Sequence, residues 1–221
     1  VESLGGEMVF PTMAQVKIGT LLRRERDGRF YSDIFRSRTA AEWKNWLAAK
    51  SVHAVDEGAP IDDAQTCVMR YKGLGDYFLP LAPHQAQVTR WITSNARLKG
   101  AITQPFDIGV HVRMADFIDD DGVETGFNVR QSWDWYAQAI DQARRDCGSA
   151  TAQVTLFTDV DPQSALENLG LQSANVVLDP SGNAITAILN LSKARVLVTS
   201  RSTFSMWARF LGEGRAIWHH R

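Results

Sequence analysis

The second half of the chain alternates between two kinds of pattern, and that alternation restricts its fold more than any single residue does. Short apolar runs at 107–112, 153–157, 174–178, 195–199 and 215–218 have the length and composition of strands. Between them, 132–146, 162–169, 182–193 and 203–211 carry helical periodicity. Val196-Leu197-Val198 and Val154-Thr155-Leu156-Phe157 are nearly continuous in apolar character. Strands buried on both faces read that way, whereas half-exposed strands alternate. Strand and helix succeeding one another on this spacing predict an α/β fold. Its core is a Rossmann-like parallel sheet with helices on both faces. Ser132 is placed to cap the first of these helices.

Residues 1–100 are less regular. Leu4-Gly5-Gly6 reads as a glycine turn, followed by a helical pattern through Met13, Val16, Leu21 and Leu22. Pro11 falls at or just before its first turn, where a missing N–H costs little. Arg23, Arg24 and Arg26 fall near its end, where the helix dipole favours cations. Thr39 and Glu42 have the spacing of a capping box for a helix over 40–50. A strand is expected near 67–71 and a helix from Pro83 to about Arg97. The chain thus divides into a smaller amino-terminal lobe, 1–100, and a Rossmann-like carboxyl-terminal lobe, 101–221.

Charge narrows the range of ligands. The 221 residues carry a formal net charge of −1, with 22% charged residues. That balance exerts no global pull on nucleic acid or anionic membrane, so any anion site has to be local. Two cysteines, Cys67 and Cys147, suggest neither a disulfide framework nor a zinc site. No apolar run approaches the ~18 residues of a membrane span, and no signal peptide pattern is visible. The expected setting is cytoplasmic, at most peripheral to a membrane. Most of the seven Trp and ten Phe are expected in the core.

Open α/β sheets bind ligands outside the carboxyl ends of their strands. Arg113 follows the first predicted strand and Asp159 the second. Ser200, Ser202, Thr203 and Ser205 follow the fourth and enter a helix. A guanidinium clamps a pyrophosphate, a carboxylate accepts from ribose or base, and hydroxyls with free amides at a helix start hold phosphate oxygens. Together they outline a site for a nucleotide diphosphate. Each residue also has a plainer reading. His111 is a satisfied core histidine, Arg113 a salt-bridge partner, Asp159 the cap of a helix beginning near Pro162, and Ser202 an N-cap. Trp207 is core, and Phe204 is core or site. Gly5-Gly6 is an ordinary turn, Asp119 to Asp121 a solvated loop, and His219-His220-Arg221 a tail.

Three segments resemble the motifs of the fucosyltransferase superfamily, most of all its α-1,2-fucosyltransferase branch. His111-Val112-Arg113-Met114-Ala115-Asp116-Phe117 is similar to His-x-Arg-Arg-Gly-Asp-Tyr after a strand. Leu156-Phe157-Thr158-Asp159-Val160-Asp161 is similar to a strand ending in Phe-Ser/Thr-Asp-Asp. Leu191-Ser192-Lys193-Ala194, then Ser200-Arg201-Ser202-Thr203-Phe204-Ser205-Met206-Trp207, resembles the Leu-Ser-x-Cys helix end and the Ser-x-Phe-Ser-x-Trp segment. Leu4-Gly5-Gly6-Glu7-Met8-Val9 stands where the family has Gly-Leu-Gly-Asn-Gln-Met-Phe, and Tyr71 to Phe78 resembles a later Gly-Tyr-x-Gln segment. The departures are Met114 for the second Arg, Ala115 for Gly, Val160 for the second Asp, and Gly6-Glu7 for Asn-Gln.

The resemblance implies a two-lobed GT-B-like fold with GDP-fucose, or a related nucleotide sugar, bound to the carboxyl lobe. The amino lobe would present a glycan acceptor. Transfer would be inverting, with no metal and no cofactor besides the donor. Arg113 would neutralise charge on departing GDP. His111 would orient the loop or touch the diphosphate, and Asp159 would contact the nucleoside. Ser200, Ser202, Thr203 and Phe204 would cradle the diphosphate and base. Asp116 and Glu7 are the candidate bases, with Gly5 and Gly6 forming the amino-lobe turn. Two alternatives stand beside this expectation. One is a non-catalytic module binding a nucleotide sugar or glycan. The other is a Mn²⁺-dependent glycosyltransferase using Asp159 and Asp161 as an Asp-x-Asp pair. A Rossmann dehydrogenase would need Gly-x-Gly-x-x-Gly after a strand, and the chain has none.

Overall fold

A computed structural model of the chain describes residues 34–36, 39–50, 54–56, 68–70, 75–115 and 129–219. The chain divides into two compact units, Val1–Pro83 and His84–Arg221. In the first unit, helix α1 (Ala40–Lys50) begins with the expected capping box. The Glu42 amide donates to Thr39 Oγ1 at 3.2 Å, and the Thr39 amide donates to Glu42 Oε2 at 2.6 Å. The Arg36 guanidinium closes on the same carboxylate, and together these bonds hold the Glu42 carboxyl at about 2. Strands β1 (Ala54–Asp56) and β2 (Val68–Arg70) pair in parallel. A 3₁₀ segment, Gly75–His84, leads into the second unit.

That unit opens with helix α2 (Gln85–Asn95), shorter than the expected 83–97. Its Ile92 is buried with Leu189 and Leu211, and Gln85 Nε2 donates to the Phe210 carbonyl at 2.6 Å. This packing is why the unit starts at His84 and not near residue 101. The alternation then runs as expected, within about two residues at each boundary. It comprises β3 (Phe106–Val112), α3 (Trp133–Asp146), β4 (Val154–Thr158), α4 (Pro162–Leu169), a 3₁₀ turn at Ser173–Asn175, and β5 (Val176–Leu178). It ends with α5 (Ala184–Leu191), β6 (Ala194–Val198), α6 (Thr203–Leu211) and β7 (Arg215–Ile217).

The five strands β3 to β7 form one all-parallel sheet in the order β5-β4-β3-β6-β7. The architecture is α/β with helices on both faces. Alternate residues of β3 serve the two layers. Ile108, Val110 and Val112 are fully buried against Tyr136, Ile140, Leu166 and Leu169 of α3 and α4. On the opposite face, Phe157 and Leu197 pack with Leu191 and Ala208 of α5 and α6. Burying each aliphatic side chain contributes about 1.5–3 kcal/mol, so the two layers supply the sheet's main support.

The chain runs outward from β3 through β4 to β5, then crosses back to lay β6 on the other side of β3. Its direction therefore reverses between β3 and β6. Crevices at such a reversal, outside the carboxyl ends of the strands, are where sheets of this kind hold ligands. Among the described residues, no helix is long and apolar enough to cross a membrane. The Cys147 thiol is free and half-buried, and Cys67 lies outside the described residues.

Gly109 lets α5 lie close on the central strand. A Cβ there would come within 2.9 Å of both Ala194 Cβ and Leu191 Cδ1. We predict that Gly109→Val lowers the unfolding free energy by about 1–3 kcal/mol, the usual cost of overpacking. Denaturant unfolding of the two proteins measures this, and an unchanged midpoint would contradict the packing described.

Candidate functional site

Two clusters form where β3, β4 and β6 end. The first is built on His111, whose ring points to the α6 side of the sheet. Its Nδ1 lies 2.8 Å from Ser205 Oγ and 2.9 Å from Ser200 Oγ. Ser200 Oγ is in turn 2.8 Å from Ser202 Oγ, and the Ser200 amide donates to Ser205 Oγ at 3.0 Å. Ser202 caps α6, accepting from the Ser205 amide. The Phe204 ring stacks on the imidazole at 4.6 Å between centroids. His111, Ser200, Ser202 and Ser205 are all buried. Thr203, at the first position of α6, is exposed.

The plainer readings of His111 and Ser202 therefore hold. The imidazole is a satisfied core group, and Ser202 is an N-cap. Together with Ser200 and Ser205 they pin the end of β3 to the turn after β6, across the point where the chain reverses. Burial, and then the nearby Arg113 charge, push the His111 pKa down to about 3, so the ring is neutral near pH 7.

The second cluster centres on Asp159, just past β4. Its Oδ1 accepts from the Met114 amide at 2.8 Å, and its Oδ2 from the Ala115 amide at 3.1 Å. Arg113 Nε lies 3.2 Å from the same Oδ2. One carboxylate thus holds the chain as it leaves β3. The expectation that Asp159 caps the following helix is corrected. Pro162 occupies the first turn of α4, and Asp161 is the cap, accepting from the Ser164 amide at 2.9 Å. Both carboxylates of the Asp-x-Asp alternative are therefore engaged with protein donors. Among the described residues, no group of three or more His, Cys, Asp or Glu is placed to hold a metal ion.

A cavity of about 690 Å³ opens beside the second cluster, where β3 and β4 end and α3 begins. Arg130, Gln131, Ser132, Trp133 and His219 line it, and Met114, Ala115 and Val160 complete its wall. Arg130 is anchored through Nε, which donates to the Met114 carbonyl at 2.7 Å. Ser132 is the expected N-cap of α3, accepting from the Trp135 amide at 3.1 Å. His219 belongs to this wall and packs against the Trp135 ring, 5.5 Å between centroids, which replaces its reading as tail. Arg130, Gln131 and Trp133 were not singled out from the sequence. The available hint was a cation and an amide immediately before a capped helix that follows a parallel strand.

Several expected site residues fall elsewhere. Asp116, Gly5, Gly6 and Glu7 lie outside the described residues, as do Asp119 to Asp121, His220 and Arg221. Trp207 is partly buried beside α2 and meets Phe210 edge-on, as a core residue. His111, Ser200 and Ser202 come together, and Arg113 joins Asp159. The Arg113 charge is close enough to bear on the His111 ring. No family model matches the chain, and no curated protein matches it.

The buried imidazole has a pH signature. Its folded pKa, about 3, lies below its ordinary value of 6.5, so the unfolded chain takes up the proton first as pH falls. The stability contributed by the neutral ring is complete above about pH 6.5 and is lost progressively as pH drops toward 3. We predict that wild type loses more stability than His111→Gln across this window. Denaturant unfolding of both proteins at a series of pH values measures the difference. Parallel pH profiles would contradict a buried neutral histidine.

Proposed function

We propose that the chain is a metal-independent glycosyltransferase that moves fucose from GDP-fucose, or a close relative of that donor, to a glycan hydroxyl with inversion. The observation that supports this best is convergence. Residues 111, 113, 159, 200 and 202 belong to three separate segments that resemble fucosyltransferase motifs. All of them lie at the carboxyl rim of β3, β4 and β6. A two-lobed GT-B arrangement, with the acceptor offered by the amino-terminal unit, belongs to the same proposal.

In this reading the acceptor oxygen attacks the anomeric carbon while the bond from that carbon to the diphosphate oxygen breaks. The hydroxyl proton passes to a carboxylate base, for which Asp116 and Glu7 are the candidates. GDP departs with growing negative charge, and a fixed cation at the rim stabilises that charge most in the transition state. Arg113 is suited to the task because Asp159 holds its guanidinium in place. The buried His111–Ser200–Ser205 cluster does not touch the donor. It fixes the start of α6, so that Thr203 and the first-turn amides face the ligand.

A non-catalytic nucleotide-sugar module is the second reading. It is favoured by one observation: the Arg113 charge is already balanced by Asp159, and Met114, next to it, is buried and carries none.

Binding of GDP and GDP-fucose by calorimetry, followed by transfer to a panel of glycans, tests both readings. We predict that wild type binds both nucleotides. We also predict that Arg113→Ala weakens GDP binding by about tenfold or more, the cost of losing a charge-assisted contact. Wild type that binds neither nucleotide would end the proposal. Tight binding without transfer or hydrolysis would favour the module.

A further inference from the structure

Strand β5 ends the sheet on one side, and its outer edge has no neighbour among the described strands. The Asp179 amide donates inward to the Leu156 carbonyl, so by alternation the backbone groups of Val177 also face β4. Those of Val176 and Leu178 face outward. The side chains are open as well. Val176 packs on the layer of α3 and α4, but Val177 is 39% exposed and Leu178 47%. Successive side chains point to opposite faces, so apolar surface is uncovered on both faces of this edge. A free edge of this kind is a template for another strand, and proteins that keep such an edge single blunt it with charge, proline or a bulge. Residues 168–178 include no charged side chain and no proline, and the register of β5 on β4 is regular. The opposite edge strand, β7, does carry a charge, on the exposed Arg215.

The register defines what fits this edge. An antiparallel copy of the same strand, related by a two-fold axis at Val177, exchanges both hydrogen bonds between Val176 of one chain and Leu178 of the other, twice over. Val176 then lies against Leu178 on one face, and Val177 meets its own counterpart on the other face. Every cross-strand pair is apolar. Charge agrees with this pairing. Asp179, the first charged residue after the strand, falls opposite the neutral Asn175, so like charges do not meet. A partner strand bearing a charge would set it against Val177 or Leu178, and residues 168–178 hold no opposite charge to receive it. We propose that β5 pairs with β5 of a second copy of this chain, joining two five-stranded sheets into one about a two-fold axis. Three residues per chain make a small contact, so the dimer is weak and exchanges with monomer. The inference is independent of the glycosyltransferase reading.

Sedimentation of the full chain from about 1 µM to about 1 mM reads the equilibrium. Wild type is expected to pass from monomer to dimer within this range and to stop there, because a two-fold contact closes on itself. Val177→Lys sets two ammonium groups against each other across the axis and is expected to raise the dissociation constant tenfold or more. Leu178→Pro removes an outward N–H, and with it two hydrogen bonds per dimer, at an edge position where proline is tolerated. It is expected to have the same effect. Val177→Glu is expected to be monomeric alone, for the reason that Val177→Lys is. Mixed together, the two Val177 variants are expected to form a one-to-one heterodimer, a rescue that follows only if residue 177 meets itself. Melting curves identify any variant that fails to fold, and the two Val177 variants keep the test decisive if Leu178→Pro is one.

Wild type that stays monomeric up to about 1 mM would overturn the inference, even if an unrelated apolar peptide binds β5. So would a dimer whose dissociation constant is the same in Val177→Lys and in folded Leu178→Pro, or a mixture of the two Val177 variants that does not associate. Assembly that continues past the dimer would overturn it as well, since an open series is not two-fold.

Discussion

Asp159 accepts hydrogen bonds from the amides of Met114 and Ala115 and pairs with Arg113, and so sets the path of the chain where it leaves the central strand. Amides at the end of a strand have lost their ladder partners and must find others. A carboxylate just past the neighbouring strand supplies them here, in charge-assisted form. The same bonds orient Arg113 and place Met114, whose carbonyl receives Arg130. Everything at this rim follows from that brace. The position of the guanidinium, the wall of the cavity and the approach to α3 would all shift without it.

His111 performs the matching task on the other side of β3. Strands β3 and β6 are neighbours in the sheet but are separated by 80-odd residues of chain, and a crevice at such a reversal tends to splay. The imidazole and three serine hydroxyls close it with hydrogen bonds buried from water. Because the ring is neutral, the cluster adds no buried charge beside Arg113, and a protonated ring there would be repelled by it. The motif-like residues thus divide their roles. His111, Ser200 and Ser202 build the frame, while Arg113 is held by Asp159 and Thr203 is exposed at the first position of α6.

Much of the fold could be read in the residues themselves. The runs at 154–157 and 196–198 lack alternation because both faces of each strand are covered, and each lies in a strand of the sheet. Ser132, Ser202 and the Thr39–Glu42 pair acted as caps because capping is decided within four residues. Asp159 and Asp161 show where local reading stops. Proline at the first helical position places the cap immediately before it, which points to Asp161. What Asp159 does depends on β4 lying beside β3, and no local pattern carries that. The cavity was harder still. Arg130 and His219 come from segments almost ninety residues apart and meet through the sheet order. Likewise α2 joined the second unit through contacts with Leu189 and Leu211, far along the chain.

The proposed donor would sit at the rim shared by β3, β4 and α3, with the turn into α6 at its edge. A titration of labelled protein with GDP, followed through backbone amide resonances, tests that assignment most directly. The account predicts saturable shifts that cluster at 113–115, 130–133 and 202–204, with the amino ends of the strands, near Phe106 and Ala194, undisturbed. Shifts that are absent, or that gather at the amino ends of the strands, would contradict it.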